Sequence, residues 1–108
     1  MSHLDADHPI IDRPWEYRIQ RLVVETNPDN QLNDVAELVL QRGVSIRRLR
    51  FEGVRSLAIE EGGLQSASLR ILDVSSRQLD RLNVWVTDFE PQPGISFWAR
   101  KVTDLDRP

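Results

Sequence analysis

Alternation of apolar and polar residues begins at Trp15. Trp15, Tyr17 and Ile19 alternate with Glu16, Arg18 and Gln20, and Leu22, Val23 and Val24 continue the run. Aromatic and β-branched residues at period two predict a strand over about 15–25. The period then changes. Leu32, Val35, Ala36, Val39 and Leu40 form one stripe at helical spacing, with Gln31, Asp34, Glu37 and Gln41 away from it. Asn27-Pro28 suits a helix start, Asp29 the first turn, Arg42 the last turn and Gly43 the position just beyond. The pattern predicts a helix over about 28–42.

Short strands follow: Ile46–Phe51, Val54–Glu60, Ser68–Val74, Leu82–Phe89 and Ile95–Val102. Glu61-Gly62-Gly63, Ser75-Ser76-Arg77-Gln78 and Pro91-Gln92-Pro93-Gly94 separate them. These connections are too short for crossover helices, so the strands should pair antiparallel. The expected fold is α+β, in the order β-α-β-β-β-β-β, with one helix on a sheet of five to six strands. Residues 1–14 read as a flexible lead-in, 15–102 as one domain and 103–108 as a polar tail.

Composition narrows the class. At 108 residues, with 40% hydrophobic and 29% charged, the chain can sustain one core unaided. A net charge of −3 gives no basic footprint for nucleic acid or an anionic membrane. There is no cysteine, so neither disulfides nor thiolate chemistry are expected. The polar, acidic start lacks the basic and then apolar pattern of a secretory signal, and no run is long enough for a membrane span. A cytoplasmic protein is expected. Thirteen of the 14 basic residues are Arg, which suits a GC-rich, bacterial genome.

Candidate chemistry is sparse. His3-x-Asp5-x-Asp7-His8 offers metal-ligating types but sits in a segment without a frame, so no metal and no cofactor are expected. Glu60, Glu61, Asp73, Asp80, Asp88 and Glu90 could pair for acid–base work, yet acids at strand ends also close turns, as Asp73 before Ser75-Ser76 would. The serines lack an accompanying base. The aromatics are more informative. Trp85 and Trp98 fall opposite the apolar positions of their strands, where Arg48, Arg50 and Arg100 also stand. One helix cannot cover both faces of such a sheet, so these five residues are the candidate protein interface.

The stretch Leu49-Arg50-Phe51-Glu52-Gly53-Val54-Arg55-Ser56-Leu57-Ala58-Ile59-Glu60 resembles a recurring pattern in small bacterial immunity proteins. Leu69-Arg70-Ile71-Leu72-Asp73-Val74-Ser75, Val86-Thr87-Asp88-Phe89-Glu90 and Ile95-Ser96-Phe97-Trp98-Ala99 continue the likeness, which spans about residues 46–100. The long acidic start and the 28–42 segment have no counterpart in it. The resemblance implies a non-enzymatic protein that binds and neutralises a cognate toxin. Two other classes fit the residues: a self-associating structural or assembly protein, and a small carboxylate-dependent hydrolase or ligand-binding protein.

Overall fold

The structure, a computed structural model, describes residues 6–29, 33–62, 64, 68–77, 81–88 and 94–106. Among the described residues nine strands run in the order β1 (Ala6–Asp7), β2 (Arg18–Glu25), β3 (Val35–Arg42), β4 (Ser45–Glu52), β5 (Arg55–Ile59), β6 (Leu69–Asp73), β7 (Val84–Asp88), β8 (Ile95–Ala99) and β9 (Lys101–Asp104). Short 3-10 turns occupy Pro14–Glu16 and Ser75–Arg77. No helix among the described residues is long and apolar enough to cross a membrane.

The strands form two antiparallel sheets, ordered β1-β6-β7-β8-β5 and β2-β3-β4-β9. The expected α+β fold is therefore wrong: the protein is nearly all β. Where the helix over 28–42 is expected, Val35–Arg42 form β3, which pairs with β2 on one side and β4 on the other. Ala36, Leu38 and Leu40 are all 0% exposed. Leu38 lies off the helical stripe, so only period two explains its burial. Ala36 and Leu40 satisfy both periods, which is why the segment read as a helix. The helix-start signal serves a loop instead. Asn27 Oδ1 accepts the Asp29 N–H at 3.0 Å, and the Asn27 N–H donates to Asp34 Oδ1 at 2.9 Å. Leu32 lies outside the described residues. Gly43, with φ +59°, takes the first place of the two-residue β3–β4 hairpin turn, where a primed turn needs positive φ.

Two other boundaries move. Trp15 and Glu16 belong to the turn that Pro14 starts, so β2 begins at Arg18. The predicted last strand is split at Arg100: β8 stays in the five-stranded sheet and β9 crosses to the other, where it pairs with β4. The Arg100 N–H donates to the Glu52 carbonyl at 2.8 Å and holds that crossing beside the β4–β5 one. Gly53, buried with φ +69°, makes the neighbouring crossing. Strands β6, β7 and β8 form a meander and β5 returns beside β8, a Greek-key arrangement.

One core fills the space between the sheets. Leu38, Leu40, Leu49 and Phe51 from one sheet meet Leu69, Ile71, Val84, Val86, Ile95 and Phe97 from the other. Phe51 and Phe97 join the layers edge to face, with ring centroids 5.0 Å apart at 89°. The lead-in contributes as well. β1 pairs with β6, and Ile11, Pro14 and Tyr17 are buried.

Candidate functional site

In β7 and β8 the apolar residues Val84, Val86, Phe97 and Ala99 point into the core, so Trp85 and Trp98 point outward. The two tryptophans are direct cross-strand partners. Their rings stack with centroids 4.9 Å apart and planes 4° apart. The Arg77 guanidinium, on the 3-10 turn after β6, lies 5.5 Å from the Trp85 centroid and 5.9 Å from that of Trp98. It is within cation–π range of both. Trp85 Nε1–H donates to Ser96 Oγ at 3.4 Å. Both indoles are half-buried.

Register places the stack at the centre of a row that crosses the sheet. Asp7 opposes Leu72, Leu72 opposes Trp85, Trp85 opposes Trp98, and Trp98 opposes Arg55. Leu72 is only 3% exposed although it lies on the outward face. Arg70, beside it, reaches Asp7 at 3.8 Å.

The five residues picked from the sequence do not share one face. Trp85 and Trp98 lie on the five-stranded sheet. Arg48 and Arg50 are on β4, on the outward face of the other sheet. Arg48 binds the Asp106 carboxylate through Nε at 3.2 Å and Nη2 at 3.1 Å, and Arg50 Nε lies 3.9 Å from Glu52. Arg100 sits at the bend between β8 and β9, where its carbonyl accepts from Asn83 Nδ2 at 3.1 Å. The division follows from the chain crossing between sheets after β4 and again after β8, which a single-sheet reading could not contain. Arg77, Leu72 and Arg55 went unnoticed. The signal for the stack was present: Trp85 and Trp98 stand at matching distances either side of the 89–94 connection, so a hairpin there must pair them.

The carboxylates serve the fold. Asp73 Oδ1 accepts from the Ser75 hydroxyl at 2.6 Å and the Ser75 N–H at 2.9 Å, and these bonds hold its carboxyl below the usual range. Asp88 Oδ2 accepts the Gly94 N–H at 2.8 Å and closes the β7–β8 connection. Glu60 and Glu61 are exposed, and Asp80 and Glu90 lie outside the described residues. Of the His3–His8 segment, His3 and Asp5 also lie outside them. His8 Nδ1 accepts the Ile10 N–H at 3.0 Å, and burial holds the imidazole below its ordinary pKa against the pull of Asp73. Among the described residues no group of three His, Cys, Asp or Glu side chains is placed to hold a metal.

No protein-family model, curated protein or solved structure matches the chain.

Proposed function

We propose that this is a non-enzymatic protein-binding module. It engages its partner through the outward face of the five-stranded sheet, with the Trp85–Trp98 stack at the centre. The observation that carries the reading is the stack itself. A one-sided face of an antiparallel sheet is ordinarily clothed in polar residues, yet here two indoles and Leu72 stand side by side. Tryptophan ringed by arginine is the composition of an interface hot spot. The engagement of Asp73 and Asp88 in turn-closing bonds speaks for binding over carboxylate catalysis. The resemblance of residues 46–100 to immunity proteins supplies the partner class, a bacterial toxin that the module neutralises. Arg48 and Arg50, on the far sheet, fall outside this surface.

The test is to identify the genes flanking that of this protein and to titrate any toxin domain they encode against it by calorimetry. Trp98→Ala should weaken binding about thirtyfold, equivalent to about 2 kcal/mol, while Arg48→Ala leaves it unchanged. Equal affinity of a folded Trp98→Ala variant and the wild type removes this face. Absence of any interaction removes the immunity reading.

A further inference from the structure

β5 is the open edge of the five-stranded sheet. All of Arg55–Ile59 is exposed, β8 pairs with one side, and among the described residues no strand lies on the other. Protein edges of this kind are usually blunted by lysine, proline or a bulge. Residues 55–61 contain no lysine or proline. The one irregularity lies between Arg55 and Ala58, where Ser56 adopts φ +56°. Leu57 follows this bulge-like shift, and the ladder with β8 is regular from Ala58 onward.

The edge is apolar as well as open. Leu57 is 36% and Ile59 is 44% exposed. The Glu60 N–H donates to the Gly94 carbonyl at 2.8 Å, so Glu60 and Gly94 form a hydrogen-bonded pair of the ladder. Ile59, opposite Ile95, is then the alternate pair, whose N–H and C=O turn away from β8 toward the open side.

We propose that β5 pairs antiparallel with β5 of a second copy of this chain, about a two-fold axis at Ala58. The sequence Arg55-Ser56-Leu57-Ala58-Ile59-Glu60-Glu61 is self-complementary in that register. Leu57 of each copy faces Ile59 of the other, and each Arg55 comes beside the other's Glu60-Glu61. The symmetry makes each contact twice. An axis at Leu57 would set Arg55 against Ile59, and one at Ile59 would carry Arg55 past both acids. A parallel pairing would set arginine against arginine. Charge therefore selects one register and names the occupant as the same strand. The result is a continuous sheet across two copies, with a Trp85–Trp98 stack on each. This pairing does not depend on what the tryptophans bind.

The experiment is sedimentation velocity over a concentration series, with circular dichroism melts to confirm folding. The wild type should dimerise, and Ile59→Lys, on an exposed edge position, should be monomeric. Arg55→Glu should raise the dimer Kd about tenfold, as should Glu60→Arg with Glu61→Arg. All three changes in one chain exchange the charges and should restore the dimer. A wild type that stays monomeric at the highest soluble concentration overturns the proposal. So does a dimer that survives Ile59→Lys, or a charge exchange that fails to restore association.

Discussion

Arg47 of β4 and Asp104 of β9 form an ion pair at one end of the core, with side chains only 13% and 5% exposed. Arg47 also donates to the Ile10 carbonyl at 3.4 Å. Its hydrogen bond to Asp104 is the main cause that raises the guanidinium pKa above its ordinary value. The pair ties the last strand and the lead-in segment to β4.

Removing one partner leaves a buried charge without its counter-ion. Asp104→Ala should destabilise the protein by about 3–5 kcal/mol, and Arg47→Met with Asp104→Leu by much less. Urea melts of the two variants check this. Equal losses would mean the pair is not desolvated.

β3 yields a sharp contrast between neighbours. Leu38 is 0% exposed, whereas Val39 faces outward between Arg21 and Arg48. Leu38→Ala should cost about 2–5 kcal/mol. Val39→Asp should cost little, because both cross-strand neighbours are cationic. A helix with the stripe Val35, Val39 would demand the reverse, and thermal melts distinguish the two.

That contrast also shows how far the sequence was legible. The existence of the strands from Ile46 to Asp88 was readable because turn residues bracket them, but the break at Arg100 and the exposure of Leu57 and Ile59 at a sheet edge were not, since both depend on which strands lie alongside. Asp73 was readable as a turn-closing acid for the same local reason. β3 was not, since Ala36 and Leu40 satisfy both periods and Asn27-Pro28 mimics a helix start. What decides β3 is its two neighbours, which no local window contains. The site was half legible: the tryptophans were found, but their separation from Arg48 and Arg50 depends on Gly53 and Arg100 passing the chain between sheets.

His8 couples the first strand to pH. Its Nδ1 can accept the Ile10 N–H only when that nitrogen carries no proton, while the His8 backbone N–H donates to the Ile71 carbonyl at 2.9 Å. The folded pKa lies below the ordinary 6.5, so folding favours the neutral ring. The stability it contributes is present above pH 6.5 and is lost as pH falls through the lower folded value. Urea melts between about pH 7.5 and 5 should show this decline, and His8→Gln should flatten it. An unchanged slope in the variant would assign the dependence to other groups.

Ser56 holds φ +56° without the freedom of glycine. Ser56→Gly should stabilise the protein by about 1 kcal/mol, because it relieves a left-handed conformation at no loss of buried contact. A melt with no gain would show that the Ser56 side chain makes a compensating bond.

The pairing of β9 with β4 sets an order of events during translation. β4 acquires its second neighbour only when Asp104 has left the ribosomal exit tunnel. A nascent chain that ends at β8 exposes the β4 edge, with Leu49 and Phe51 beside it and Arg47 lacking its anion. Such a chain cannot complete the four-stranded sheet, which closes only when β9 appears. Ladders joining distant segments form slowly, on a scale of about milliseconds to seconds. In that interval the β4 edge stays open to non-native strand pairing.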